Sequence, residues 1–374
     1  MPRLLILCEY PTLLGGERSM LSTLDMVAAA EFEVRVAAPP TGALADVIRQ
    51  RGVAHVPWRV RHDNGKRLPL DVLRERLAQL IESEQPDLVH ANSLSTSRIA
   101  GPVVKNLGVL SVGHLRDIIT LSQQAIDDLN CHQRLIAVSS ATREFHILQG
   151  VDADKCVVVH NGVDLEHFRP QPRTGYLHQE LWLPPNVRFV ATIGQFSLRK
   201  AIDVALSAAK FVVAKSSDLH WLIVGERASD KAETEEYEAR LRAIAAGQAL
   251  AGRVHFLGRR EDVAELMAEC DVLVHSARQE PLGRVLIEAA ASGLPVVATD
   301  VGGTREIFAS EADGAVLVPV DDAAAIGEAV ITLLNNEVRR ASRGAAVRRR
   351  AETAFDVRHA AARLIEWYQE VLET

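Results

Sequence analysis

The sequence has no apolar run approaching the roughly 20 residues that span a bilayer, which leaves no candidate for a helical membrane segment. It also has no excess of positive charge: the formal balance over 374 residues is −7, which argues against nucleic acid as a bulk partner. Cysteine is scarce. Cys8, Cys131, Cys156 and Cys270 stand singly within or beside apolar segments, without the paired spacing of a zinc site or a disulfide framework. They are read as reduced core thiols of a cytoplasmic protein. No leader peptide is expected, because Arg3-Leu-Leu-Ile-Leu-Cys8 already reads as a strand. The acid pairs Asp127-Asp128 and Asp321-Asp322 fall at helix-like or turn positions, so neither a metal nor a cofactor is expected.

What the chain does have is an alternation of short apolar runs with helix-length segments, the pattern of α/β layers with parallel sheets. In the first half the predicted strands are Leu4–Cys8, Glu33–Ala37, Ala54–Pro57, Leu88–His90, Val109–Gly113, Leu135–Val138 and Val157–Val159. In the second they are Arg188–Ile193, His220–Val224, Arg253–Leu257, Val272–His275, Pro295–Ala298 and Val316–Val318. No sequence repeat joins the halves. The turn-rich, aperiodic stretch His167-Phe-Arg-Pro170-Gln-Pro172-Arg-Thr-Gly175 separates them. The expected domains are 1–168, 169–354 and a terminal helix over 355–374. Two doubly wound, Rossmann-like domains are the predicted fold class, binding ligand at the carboxyl ends of both sheets.

The richest stretch is Glu280-Pro281-Leu282-Gly283-Arg284-Val285-Leu286-Ile287-Glu288, which leads into Ala-Ala-Ala-Ser-Gly293-Leu-Pro295-Val-Val-Ala-Thr-Asp300-Val-Gly302-Gly303. Pro281 and Gly283 end the preceding run, and Arg284 to Ser292 reads as a helix stopped by Gly293. The first helical amides, from about Gly283 to Val285, lack internal acceptors and carry the positive end of the helix dipole, which suits a pyrophosphate. Glu288 lies about 7–8 Å along the axis from the helix start. It is placed to hold a ribose, with Glu280 on a sugar beyond the phosphates. Gly15-Gly16 follows the first strand and opens a helix, where glycine lets backbone approach a ligand closely.

This Glu-x7-Glu pattern, with its Pro-Leu-Gly and the following Ser-Gly-Leu-Pro-Val-Val-Ala-Thr-Asp-Val-Gly-Gly, closely resembles the donor-binding signature of retaining GT-B glycosyltransferases of family 4. The resemblance runs from about residue 12 to 308 and is stronger in the second half. It implies two Rossmann-like domains facing an interdomain cleft, a nucleotide-diphosphate sugar as donor, and a terminal helix crossing back to the first domain. It also implies transfer by front-face attack without metal. The acceptor would be a glycan, a lipid-linked molecule or a small molecule, held by loops such as Pro11–Gly16, His62–Arg67 and Asn92–Ser97.

Residue by residue, Gly15 and Gly16 match the family's glycine loop, and His114 matches the histidine beneath the donor sugar. Arg116 and Asp117 stand where a His-Asp pair is common, but with two residues inserted. Lys200, in Gly194-Gln195-Phe196-Ser197-Leu198-Arg199-Lys200, matches the lysine that neutralises the diphosphate. Gln195 replaces the usual arginine, with Arg199 or Arg284 as compensating cations, and Glu226 falls in the nucleotide pocket. Catalytic roles are thus expected for His114, Glu280 and Lys200. Donor contacts are expected from Gly15, Gly16, Gln195, Arg199, Glu226, Leu282, Gly283, Arg284, Val285 and Glu288. Asn161 and Gly162 read as a turn. The arginines at 339, 340, 343, 348, 349 and 350 read as a solvated helix face. If they bind anything, it is anionic lipid at the inner membrane face. The same residues leave open a nucleotide-sugar epimerase, transfer to a small non-sugar acceptor, or a binding subunit without catalysis.

Overall fold

The computed structural model describes residues 1–62, 65–227 and 231–374. Of the loop expected to touch the acceptor at 62–67, Asp63 and Asn64 lie outside the described residues. The chain forms two compact units, Met1–Gly162 with Val357–Thr374, and Val163–Asp356.

The first unit is built on β1 (Arg3–Leu7), β2 (Glu33–Ala38), β3 (Ala54–Pro57), β4 (Leu88–Ala91), β5 (Leu110–Leu115), β6 (Arg134–Ala137) and β7 (Cys156–Val158). They make one parallel sheet in the order β3-β2-β1-β4-β5-β6-β7. The central strand β1 is apolar from Leu4 on because both its faces are covered: Leu4, Leu5, Ile6 and Leu7 are all buried. The second unit holds β8 (Arg188–Ile193), β9 (Leu219–Val224), β10 (Val254–Gly258), β11 (Val272–His275), β12 (Val296–Thr299) and β13 (Val316–Val318), again parallel, in the order β10-β9-β8-β11-β12-β13. In each sheet the winding reverses once, between β1 and β4 and between β8 and β11. Open α/β sheets bind ligands outside the carboxyl ends of the strands at that reversal.

The units divide at Gly162 and Asp356, not at 168 and 354 as the turn-rich stretch suggests. Val163 pairs in parallel with Asp356, its N–H donating to Phe355 O at 2.8 Å, so residues 163–168 belong to the second unit. The terminal helix Val357–Leu372 lies in the first unit. There it buries Leu364, Tyr368 and Val371 against the helix Gly15–Ala29 and Phe32.

The basic cluster sits on the helix Glu337–Ala354, and four of its arginines are internal staples. Arg340 donates to Leu333 O and Leu334 O, Arg343 to Glu311 O, Arg348 to Phe168 O and Ala291 O, and Arg350 to Ile307 O and Glu306 O. Only Arg339 and Arg349 of the six are exposed, so the expected solvated basic face is largely absent. Among the described residues no helix is long and apolar enough to cross a membrane.

Candidate active site

In the second unit the loops after β8 and β11 meet at the reversal of the sheet. The first loop ends in a short 3₁₀ turn, Leu198–Lys200, and enters the helix Ile202–Lys215. The second, 276–283, enters the helix Arg284–Ala291. Ser276 Oγ donates to Ala201 O at 2.8 Å, and Arg278 N–H donates to Arg199 O at 2.8 Å. The Arg278 guanidinium pairs with Asp203 at 3.0 Å and Asp321 at 2.7 Å. Behind the second loop, Gly303 N–H donates to Glu280 O at 3.0 Å. A Cβ at Gly302 would lie 2.1 Å from Glu280 O, and one at Gly303 2.4 Å from Pro281 O. This close approach of two backbones is what the Gly-Gly pair permits.

So clamped, Glu280 is only 4% exposed. Its Oε2 accepts from the Lys200 ammonium and from His275 Nε2, the latter at 2.7 Å. Burial alone disfavours the charged carboxylate, but the Lys200 cation and the His275 hydrogen bond outweigh it. Glu280 is held well below the usual carboxylate range. His275 is pushed down by burial against the opposing pull of Glu280, so at neutral pH it is an uncharged donor. The sequence places this acid in the loop before the helix amides, facing sugar hydroxyls. The structure instead gives a buried carboxylate holding a lysine, 80 residues away in sequence, at a helix start.

That start is shaped by Gly283, whose φ of +107° favours glycine. No side chain caps the helix, and its first-turn amides have no intrahelical acceptor. Leu282 is 1% exposed, its side chain in the core, and Val285 is half-buried. Arg284 and Glu288 pair with each other at 2.9 Å, so Arg284 is not an open cation standing in at Gln195. Gln195 and Arg199 are half-buried on the β8 loop, and Arg199 Nη1 approaches Gln279 O at 3.4 Å. Glu226 joins this loop by its backbone, its carbonyl accepting from Phe196 N–H at 3.0 Å while its side chain is exposed.

In the first unit, His114 near the end of β5 is 5% exposed. Its ring stacks on His90 of β4 with centroids 5.4 Å apart. His114 Nδ1 lies 3.2 Å from His90 Nε2 and 3.1 Å from Arg116 Nη2, and His90 Nδ1 lies 2.6 Å from Tyr368 Oη. Arg116 also donates to Asn92 O at 2.8 Å, Asn92 Oδ1 at 2.7 Å, Ser19 Oγ at 3.2 Å and Asn161 Oδ1 at 3.2 Å. Asn161 is thus a member of this network as well as a turn residue. Burial, then the Arg116 charge, lowers His90 to about 3 and His114 well below its ordinary value. Asp117 takes no part; its carbonyl accepts from His146 Nε2 at 2.8 Å. Gly15 and Gly16 open the helix Gly15–Ala29 as its first two residues. A Cβ on Gly16 would sit 3.3 Å from Arg116 Cδ, while one on Gly15 would meet nothing within 4 Å.

The structure therefore joins Lys200 to Glu280, Arg284 to Glu288 and Gly16 to the surroundings of His114. Sequence reasoning missed His275, His90, Arg116 as the partner of His114, and Tyr368. His275 carries a readable signal as the last residue of a strand beside the reversal. Tyr368 carries none, being 278 residues from His90. Among the described residues no three metal-ligating side chains come together.

Residues 177–350 match the profile of the family Glycosyl transferases group 1, and residues 14–167 match that of Glycosyltransferase Family 4. A GDP-mannose-dependent alpha-mannosyltransferase of Mycobacterium tuberculosis (strain CDC 1551 / Oshkosh) is 29% identical, over 83% of this chain and 82% of its own length. A UDP-Gal:alpha-D-GlcNAc-diphosphoundecaprenol alpha-1,3-galactosyltransferase of Escherichia coli is 24% identical, over 88% and 87%. In fold, the chain is similar to Anabaena HepE, solved in complex with UDP and glucose. That match has a TM-score of 0.86 and 22% identity, and covers 99% of this chain and 100% of the other.

Proposed function

The chain belongs to the glycosyl transferases group 1 and is a nucleotide-sugar-dependent glycosyltransferase of the GT-B type, and on that premise we propose that it transfers a hexose with retention of anomeric configuration and without a metal ion. The observation that carries the proposal is the Lys200–Glu280–His275 cluster beside the start of the helix Arg284–Ala291. A lysine paired with a buried carboxylate beside a helix start is suited to the negative charge that grows on a departing diphosphate. Most of that benefit falls in the transition state.

In this reading the acceptor hydroxyl attacks the anomeric carbon from the face the diphosphate leaves. The bond from carbon to phosphate oxygen breaks as the new glycosidic bond forms, and the hydroxyl proton passes to an oxygen of the leaving diphosphate. No protein nucleophile is needed. Glu280 keeps the Lys200 ammonium in place, Glu288 takes the ribose, and His114 faces the transferred sugar. Retention draws support from relatives whose activities are alpha-transfers, since an alpha-linked donor giving an alpha product keeps its configuration.

The test is to supply GDP-mannose, UDP-galactose and UDP-glucose with a panel of polyol, glycan and lipid-linked acceptors, with and without EDTA, and to read the product's anomeric proton by NMR. An alpha product from one donor, formed at the same rate in EDTA, is expected. A beta product overturns retention, and loss of turnover in EDTA restored by a divalent ion overturns metal independence.

A further inference from the structure

The polar chain running from Arg116 to the terminal helix has a direction that its own chemistry dictates. A guanidinium has five N–H donors and no acceptor, so the contact from Arg116 Nη2 makes His114 Nδ1 an acceptor. His90 Nε2 faces the same nitrogen and must therefore carry a proton. His90 Nδ1 is then the acceptor to which the Tyr368 hydroxyl donates. Both imidazoles, kept neutral by burial, are fixed as Nε2–H tautomers. His114 Nε2 is left as a buried N–H with no partner among the described residues, in a side chain bordering a cavity also lined by Ser19, His90, Arg116, Asn161 and Tyr368. An orphaned buried donor in an otherwise satisfied network points to a ligand atom that completes it.

We propose that Arg116 is a positioning residue for the transfer reaction. By donating to His114 Nδ1 it locks the proton on Nε2, so that His114 offers the donor sugar an N–H rather than a lone pair. His90 and Tyr368 hold the same polarity from behind. Gly16 leaves the room that the Arg116 side chain occupies. The inference rests on the reading above that His114 meets the donor sugar.

The experiment labels the full-length chain with ¹⁵N-histidine and records long-range ¹H–¹⁵N correlations, with His114 assigned through His114→Asn. In the wild type, His114 and His90 are both expected to show a protonated Nε2 and a bare Nδ1. Arg116→Met removes the donor while keeping an unbranched side chain. It should shift His114 toward a mixture of tautomers and lower kcat on the order of 100-fold with a smaller change in the donor KM. Arg116→Lys, whose ammonium keeps N–H donors and offers no acceptor, should restore the tautomer and part of the turnover. Should Arg116→Met not fold, the wild-type spectrum and Tyr368→Phe decide, the latter being expected to loosen the His90 tautomer first. An Nδ1–H signal for His114 in the wild type overturns the proposal, as does an unchanged tautomer in Arg116→Met, whatever its activity. Failure of the wild type to turn over any nucleotide sugar, with the spectrum as expected, would instead sink the transfer reading and leave the tautomer lock standing.

Discussion

Lys200 and Glu280 illustrate how a buried ion pair separates stability from chemistry. Removing one partner leaves the other buried and unpaired, so Lys200→Ala should destabilise the second unit by about 3–5 kcal/mol in urea unfolding. It should also lower kcat by on the order of 10²–10³. The double variant Lys200→Met with Glu280→Gln removes both charges at similar volume. It is expected to recover most of the stability and none of the activity; recovery of turnover would contradict the role given to Lys200. Buried histidines set the acid response of the first unit. His90 and His132 are lowered by burial to about 3 and about 4, so below pH about 6.5 the unfolded chain binds protons that the folded one refuses. Each should cost about 1.4 kcal/mol of stability per pH unit as pH falls from 6.5 toward these values, with no loss above 6.5. Urea midpoints between pH 7.5 and 5 check this, and a flat profile would count against neutral buried rings. The acids and Lys200 were legible in the sequence because turn formers and a helix start frame them. The partner of His114 was not, because Arg116 reaches back over the strand end while the better-known pairing suggested Asp117.

At the level of elements, a methyl added at two glycines should act oppositely, according to what the new Cβ would meet. Gly303→Ala drives a methyl into Pro281 O and should displace the Glu280 loop, costing about 1–3 kcal/mol. Gly15→Ala, in the first turn of a helix where the added Cβ would meet nothing within 4 Å, should be neutral or stabilising by up to about 1 kcal/mol. Thermal unfolding of the two variants checks the contrast. The strands were readable because parallel strands covered on both faces appear as continuous apolar runs. Their ends were less so: β5 continues through His114 to Leu115, since a polar residue pairs with its neighbours in the sheet as readily as an apolar one. The helix Gly15–Ala29 starts at the glycine pair, where the sequence also opens it.

For the whole molecule, the order of strands and helices carried the fold, and the signature after β11 carried the family. Proline and glycine mark where a chain turns, while the two compact units divide at Gly162 and Asp356, beside the bridge of Val163 to Asp356, which no local pattern reveals. In the proposed reaction the Lys200–Glu280 cluster receives the donor's diphosphate. Calorimetric titration of GDP and UDP into the wild type and into the Lys200→Met, Glu280→Gln variant tests it most directly. Selective binding of one nucleotide by the wild type, weakened at least tenfold in a folded variant, is the predicted result. Equal affinity in the two proteins would contradict it.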